Sequence, residues 1–207
     1  MRVLIGGSSG LIGSNLVQHF RKSGYDVYRL VRPETVGVSK PERSVSWDVR
    51  NGTIDRAELS GFDVVVNLAG ENLSGGPWTD ERKHRILVSR TQATGLLARA
   101  LGEIEQPPRV FVSASAVGFY GDRGDEALTE ESSGGSGFLA DVCRQWEDAA
   151  APAGDAGIRV VHPRLGMVLS GDGGALRKML PAFQFGLGGK FGSGTQYMPW
   201  VSIDDVV

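Results

Sequence analysis

The stretch that decides the fold runs from Arg2 to Gly13 and reads R-V-L-I-G-G-S-S-G-L-I-G. Its first residues, Arg2–Ile5, predict a short buried strand, and apolar residues over 11–20 recur at the spacing of one helix face. A glycine loop between a strand and a helix lets backbone N–H groups approach a pyrophosphate and lets the helix pack closely on the strand. The alternative is a plain glycine-rich turn. We predict that a dinucleotide is bound by Gly7, Gly10, Leu11, Ile12 and Gly13.

Short apolar runs alternate with stretches of helical periodicity along the rest of the chain. This alternation predicts an α/β fold of the Rossmann type, a doubly wound parallel sheet covered by helices on both faces. Further strands are expected over 26–31, 45–48, 63–68, 109–113 and 158–162. Helices are expected over 79–102 (capped by Thr79), over 138–151 and around 176–183, and 33–44 is expected to be a loop.

Composition excludes several classes of function. The chain has 207 residues and a formal net charge of −2, which argues against a broad electrostatic grip on nucleic acid. No apolar run approaches the roughly 20 residues of a membrane span, and there is no secretory signal. A single cysteine, Cys143, cannot form an intramolecular disulfide, which favours a reducing, cytoplasmic setting. The three histidines are far apart in sequence, so no metal site is expected, and the expected partner is a small-molecule substrate.

The end of the second strand discriminates between NAD and NADP. An NAD site uses a carboxylate there to accept a hydrogen bond from the ribose 2′-hydroxyl, whereas a 2′-phosphate requires a cation. This chain offers Arg32 about twenty residues after the glycine loop and no acid at that strand end. NADP(H) is therefore the predicted cofactor, and the alternative for Arg32 is a solvated surface arginine.

Further cofactor contacts are expected where strands three and four end. Leu68, Ala69, Gly70 and Glu71 follow the buried fourth strand, on the carboxyl edge where such sheets bind ligands. Asp48 ends the third strand and either accepts a hydrogen bond from the adenine amino group or caps a turn.

Arg90 occupies the apolar stripe of the helix over 79–102, four residues after Ile86. A charge that faces the sheet is costly without a partner. Arg90 therefore either pairs with an internal acid such as Glu71 or reaches a phosphate of the ligand.

Taken together, these residues resemble the extended short-chain dehydrogenase/reductase family. The glycine loop, Asn67–Gly70 and the serines Ser113 and Ser115 carry the match. The sequence is most similar to an atypical branch of epimerase-family proteins, described as nucleotide-sugar-epimerase-like or cell-division-inhibitor-like. The stretches that distinguish this branch are 70–72, 89–90, 113–121, 186–189 and 199–201.

The resemblance carries expectations for the site and for domain organisation. It implies that Arg32, Leu68, Ala69 and Arg90 contact NADP(H), and that Ser113 lies at the cofactor site. Longer members of the branch continue into a small C-terminal domain. We accordingly expect an NADP-binding domain over 1–170 and part of a substrate-binding lobe over 171–207, in a chain that is truncated. The long helices over 79–102 and 138–151 would form a homodimer face, although their outer sides carry no clear apolar stripe.

One departure from the family pattern concerns catalysis. Typical members place a Tyr-x-x-x-Lys pair on the helix after strand five, and here Leu139 and Cys143 occupy those two positions. Ser115 still matches the catalytic serine of the family, and Tyr120 follows it in the same loop. We hypothesise that Tyr120, polarised by Ser115 or by a nearby cation, is the general acid/base; the alternative is local packing and hydrogen bonding. Cys143 is expected to be a buried structural thiol.

Two functions follow from this pattern. The first is an NADP(H)-dependent oxidoreductase or epimerase-like enzyme for a small molecule with a hydroxyl or carbonyl group, such as a nucleotide sugar. The second is a non-catalytic NADP(H)-binding protein with a redox-sensing or regulatory role, which the missing Tyr-x-x-x-Lys pair favours. Fold alone does not decide between them.

Overall fold

A computed structural model describes residues 1–33, 43–190 and 192–207. Within these ranges the chain alternates strands and helices as the apolar pattern predicts. The strands are β1 (Arg2–Gly6), β2 (Asp26–Val31), β3 (Ser44–Asp48), β4 (Thr53–Ile54), β5 (Val64–Asn67), β6 (Val110–Ser113), β7 (Ser115–Ala116), β8 (Arg159–Val161), β9 (Arg164–Leu165), β10 (Met167–Leu169) and β11 (Trp200–Ser202). The helices are α1 (Leu11–Lys22), α2 (Arg56–Leu59), α3 (Asp80–Gly102), α4 (Phe138–Asp148), α5 (Ala151–Asp155), α6 (Gly174–Gln184) and α7 (Ile203–Val206).

Seven of the described strands form the main sheet, in the order β4-β3-β2-β1-β5-β6-β8. All neighbours are parallel except β3 and β4, which are antiparallel. The strand order reverses between β1 and β5, where Gly6 is paired with Asn67. In open α/β sheets the crevice at such a reversal is where ligands bind. The predicted Rossmann-type fold is confirmed.

Two clusters of apolar residues cover the two faces of this sheet. One includes Leu4, Val65 and Phe111 and packs against α3 and α5. The other includes Val3, Ile5 and Val66 and packs against α1. Successive residues of one strand point to opposite faces of the sheet. The continuous apolar runs of β1 and β5 therefore place buried side chains on both faces.

The ends of several helices follow from local chemistry. The Thr79 hydroxyl accepts a hydrogen bond from the Arg82 amide, which confirms the predicted cap of α3. Gly24, just after α1, has φ of +79°, as expected of a glycine that ends a helix. The predicted helix over 138–151 is too long at its end, because α4 stops at Asp148. Pro152 has no N–H to continue the ladder and instead occupies the first turn of α5.

The remaining differences concern short elements. Ser44 belongs to β3 rather than to the preceding loop, and residues 34–42 of that predicted loop lie outside the described residues. The short strands β4, β7, β9, β10 and β11 were not predicted. β11, in the segment over 171–207, pairs with β10, which precedes that segment in the chain. None of the described helices combines the length and the apolar character that crossing a bilayer requires.

Candidate functional site

The glycine loop lies directly against the end of β5. Gly7 has φ of +73°, and a Cβ built on it would lie 2.7 Å from the carbonyl carbon of Leu68. A Cβ on Gly13 would lie 2.3 Å from the Gly7 oxygen. Only glycine therefore fits at these two positions, the first for the turn and the second for the close approach of α1 to the loop.

The N-terminus of α1 presents backbone donors at this edge. The first bond of the helix runs from the Ser14 amide to the Gly10 oxygen at 2.9 Å, which leaves the amides of Leu11, Ile12 and Gly13 outside the helix ladder. Gly10 caps the helix without a side-chain hydrogen bond, and the first turn contains no acidic residue. Free amides and a positive dipole end favour an anion at this position.

The end of β5 is held in place by a buried polar chain. The Asn67 side chain is fully buried, and its Oδ1 accepts from the Ala69 amide at 3.2 Å. Its Nδ2 donates to Thr94 Oγ1 at 2.9 Å, and Trp146 Nε1 donates to the same hydroxyl at 3.0 Å. The Leu68 amide donates to the Gly6 oxygen at 3.0 Å. These bonds fix the backbone of Leu68 and Ala69 beside the glycine loop.

Arg90 is buried at the same edge without a carboxylate partner among the described residues. Its guanidinium donates to the Ile86 oxygen at 3.0 Å and to the main-chain oxygen of Glu71 at 3.1 Å, and it lies 5.0 Å from the centre of the Trp146 ring. Burial lowers the pKa of Arg90. A Cβ on Gly70 would be 3.2 Å from the Arg90 guanidinium carbon, so Gly70 leaves room for this side chain. Within the described residues the Glu71 carboxylate forms no ion pair with Arg90, although its charge opposes the effect of burial on the Arg90 pKa.

The two residues predicted to contact the adenosine end are on the β2–β3 side of the sheet. Arg32 directly follows β2 and is exposed. Asp48 accepts hydrogen bonds from the amides of Arg50 and Asn51 at 3.0 and 3.1 Å, so it caps a turn, as one of its two predicted alternatives requires. The bonds from Asn51 contribute most to lowering the pKa of Asp48.

Ser115 and Tyr120, the predicted catalytic pair, are joined through two residues that the sequence did not reveal. Ser115 Oγ donates to Glu147 Oε1 at 2.6 Å. Arg164 binds both oxygens of Glu147, at 2.9 and 2.8 Å, and its Nη1 donates to the Tyr120 hydroxyl at 3.0 Å. The structure thus supplies the nearby cation that the Tyr120 hypothesis requires, while the proton of Ser115 is held by Glu147.

This network connects three separate segments, 115–120, α4 and β9, through one ion pair. Burial raises the pKa of Glu147, but the hydrogen bonds from Arg164 and Ser115 outweigh it and hold that pKa below its ordinary value. The hydrogen bond to Glu147 in turn raises the pKa of Arg164. The pair was missed because Glu147 and Arg164 are 17 residues apart in sequence and no local pattern connects them.

The positions of the missing Tyr-x-x-x-Lys pair are filled by packing. A Cβ on Gly118 would lie 3.4 Å from Leu139 Cβ and 3.7 Å from Cys143 Sγ, so both side chains face the 3₁₀ turn Val117–Tyr120. Burial raises the pKa of the Cys143 thiol, as expected of a structural cysteine.

A cavity of about 440 Å³ adjoins Tyr120, one of the two predicted catalytic residues. Tyr120, His162 and Arg164 line it together with Val117 and Thr129. His162 Nδ1 lies 3.1 Å from the carbonyl oxygen of Ser113, a contact that places the proton on Nδ1. The Ser113 side chain is fully buried, and its Oγ has no hydrogen-bond partner among the described residues.

The chain's own geometry fits a dinucleotide. Side chains are excluded where a pyrophosphate would cross the glycine loop. Within the described residues, three helix amides there have no hydrogen-bond partner, and a buried guanidinium at the same edge forms no ion pair. Among the described residues, no three potential metal ligands are grouped together.

Fold and site together define a dinucleotide-binding protein of the Rossmann class. Residues 3–207 match the NAD dependent epimerase/dehydratase family. The chain is 41% identical over 205 residues to an epimerase family protein of Mycobacterium bovis, covering 99% of this chain and 66% of that protein. It is 36% identical to the human epimerase family protein SDR39U1, covering 100% of this chain and 68% of the human protein. The chain therefore belongs to the NAD dependent epimerase/dehydratase family.

Solved structures give the same assignment. A nucleoside-diphosphate sugar epimerase from Corynebacterium glutamicum is 43% identical with a TM-score of 0.84, and the match covers all of this chain but 42% of that one. Human SDR39U1 isoform 2, whose crystal structure was solved with NADPH, is 35% identical with a TM-score of 0.85, covering 99% of this chain and 67% of that one. The chain spans slightly less than two thirds of the length of the mycobacterial relatives.

Proposed function

We propose that this chain binds NADP(H) at the carboxyl edge of its sheet and serves an oxidoreductase or epimerase-like reaction on a small molecule with a hydroxyl or carbonyl group. The observation that carries the proposal is the buried Arg90 guanidinium, which has no carboxylate partner among the described residues and lies at the edge where the free α1 amides also point. A buried cation of this kind is stabilised by a bound phosphate.

The preference for NADP(H) over NAD(H) rests on Arg32. It is exposed directly after β2, where the adenosine ribose of a bound dinucleotide lies in this fold. The human relative solved with NADPH supports the same choice. A cation at this position favours a 2′-phosphate through a charge-assisted hydrogen bond.

When bound, the nicotinamide accepts or donates a hydride at the substrate carbon. We propose that Tyr120 handles the matching proton. Because Arg164 donates to the Tyr120 oxygen, the phenol hydrogen remains available for a substrate oxygen in the adjoining cavity. Ser115 accepts rather than donates at this site, since its own hydrogen is bound by Glu147.

The cofactor proposal is tested by calorimetric titration of the chain with NADPH and NADH. We expect tighter binding of NADPH, and Arg32→Glu should weaken NADPH binding by at least about tenfold while leaving NADH within a few-fold. Arg21→Glu, at the far end of α1, serves as the control for a surface charge change. Preference for NADH in the unaltered chain would refute the choice of cofactor.

A non-catalytic, redox-sensing role is the second candidate, favoured by the packing of Leu139 and Cys143 where the family's tyrosine and lysine are expected. Tyr120→Phe separates the two functions. On an accepted substrate this variant should lose most NADPH oxidation and keep its NADPH affinity. Unchanged turnover would remove Tyr120 from the reaction, and no turnover on any hydroxyl or carbonyl substrate would favour the sensor.

A further inference from the structure

We propose that Arg82 and Lys178, which both donate hydrogen bonds to the loop over 72–76, form a subsite for a phosphate group of the substrate. This inference rests on the function proposed above, because it assigns the substrate a charge and a place beside the cofactor. Nothing in the sequence pattern had indicated it, although Arg82 lies one helix turn before Ile86 on the stripe that also carries Arg90.

Arg82 is a buried cation with unused hydrogen-bond donors. Its side chain is only 7% exposed, and Nη2 donates to the main-chain oxygen of Asn72. Nε is buried without a partner, and Nη1 makes no hydrogen bond within the described part of the chain. One hydrogen bond to a carbonyl oxygen does not require a guanidinium. The remaining N–H donors of Arg82 have the geometry that matches the oxygens of an anion.

The acids nearest to Arg82 in sequence form ion pairs with other residues. Asp80 lies 3.6 Å from Lys83, and Glu81 binds Arg85 at 2.8 Å on the outer side of α3. No described carboxylate forms an ion pair with Arg82. A buried charge in this state is costly, and a bound anion would relieve that cost.

The loop over 72–76 is shaped around this guanidinium. A Cβ on Gly75 would lie 2.8 Å from Arg82 Nη2, so any side chain there would displace the guanidinium. Gly76, with φ of +138°, lies in the region that favours glycine. The absence of a side chain at Gly75 therefore leaves room for the Arg82 guanidinium directly against the loop backbone.

Lys178 supplies the second cation at this loop. It extends from α6, and its Nζ donates to Ser74 Oγ at 2.8 Å. Among the described residues it forms no ion pair with an acid. The residue belongs to the segment over 171–207 that was expected to begin the substrate lobe, so the two cations approach the loop from the cofactor domain and from that segment.

The spacing along α3 separates this subsite from the dinucleotide. Arg82 and Arg90 are eight residues apart, about 12 Å along the helix axis. Arg90 is beside the glycine loop and β5, whereas Arg82 is beside the loop that leads away from them. The buried face of α3 thus carries Arg90 for the cofactor and, about two turns away, Arg82 for the substrate.

The test is a calorimetric titration of inorganic pyrophosphate into the chain already saturated with NADP⁺, at fixed ionic strength. NADP⁺ blocks the glycine loop, so pyrophosphate then reports the second subsite alone. We expect Arg82→Met to weaken pyrophosphate binding by about tenfold or more, and Lys178→Met by about threefold because Lys178 is exposed. Arg82→Lys should retain part of the affinity, and Arg85→Met, on the outer side of the same helix, should leave it unchanged.

The NADP⁺ titration of each variant keeps the two proposals apart. Affinity for NADP⁺ within twofold of the unaltered chain, with pyrophosphate affinity lost in Arg82→Met, supports the subsite. Absence of pyrophosphate binding once NADP⁺ is bound would overturn it, as would equal behaviour of Arg82→Met and Arg85→Met. Parallel loss of NADP⁺ and pyrophosphate in Arg82→Met would also overturn it, since Arg82 would then only support the loop. Failure of the unaltered chain to bind NADP⁺ refutes the proposed function itself.

Discussion

Arg164 and Arg90 are two largely shielded guanidinium groups on the same side of the sheet, and they differ in what faces them. Arg164 binds both oxygens of Glu147 and the Tyr120 hydroxyl. Arg90 has only two main-chain oxygens and the face of Trp146. Within the described residues the first guanidinium forms an ion pair, whereas the second forms none and has the charge of Glu71 only beyond ion-pair distance.

This difference separates a structural cation from a ligand-binding one. Removing one partner of a shielded ion pair leaves the other uncompensated, so the pair around Arg164 should be essential to stability. A shielded cation without an acid contributes less to the folded state and is available to a phosphate.

The largest effect is expected from Glu147→Gln. Loss of the carboxylate leaves Arg164 without its counter-charge and should lower the free energy of unfolding by about 3–5 kcal/mol, measured by urea denaturation. Glu103→Gln is the matched control, because its ion pair with Arg56 is exposed and should cost less than about 1 kcal/mol. Equal losses of unfolding free energy in the two variants would show that the shielded ion pair contributes no more to stability than the exposed one.

The second largest loss of stability is expected from Gly7→Ala. Its positive φ and the contact with the Leu68 backbone should together lower the free energy of unfolding by about 2–4 kcal/mol and prevent dinucleotide binding. Gly24→Ala has a similar φ but nothing within 4 Å, so it should cost only about 1 kcal/mol. Near-equal costs would mean that the close approach to Leu68 does not constrain the loop.

Arg90→Met should affect binding more than folding. The free energy of unfolding without ligand should change by less than about 1 kcal/mol, because the lost hydrogen bonds are offset by removal of a buried charge. Affinity for NADPH should fall by about tenfold or more. Arg164→Met is the contrasting variant, since it leaves Glu147 unpaired and should destabilise the fold; the idea fails if Arg90→Met is the more destabilising of the two.

The smallest effect is the pH dependence contributed by Glu147. Its pKa in the folded chain is lowered by Arg164 and Ser115, so its contribution to stability is complete above the ordinary glutamate pKa of about 4.3 and is lost as the pH falls through the folded value. The unaltered chain should therefore lose stability more steeply below that pH than Glu147→Gln, as followed by urea midpoints. Parallel curves would show that Glu147 does not titrate differently in the folded state.

Elements whose signals are local could be predicted from the amino-acid sequence. The apolar run of β1, the glycines after it and the periodicity of α1 and α3 follow from contacts within a few residues, so the fold and the dinucleotide edge could be predicted. The Thr79 cap and the place of Arg90 on an apolar stripe were readable for the same reason. The family resemblance extended these inferences to the whole chain.

Which polar groups meet depends on the assembled fold. Glu147 and Arg164 come from segments separate from each other and from the loop that holds Ser115 and Tyr120, and no periodicity relates them. That Arg90 donates to the main-chain oxygen of Glu71 and not to its carboxylate likewise depends on where the side chain points. The physical reason is that secondary structure reflects local sterics and apolar spacing, whereas the pairing of charges depends on distances that exist only once the sheet has assembled.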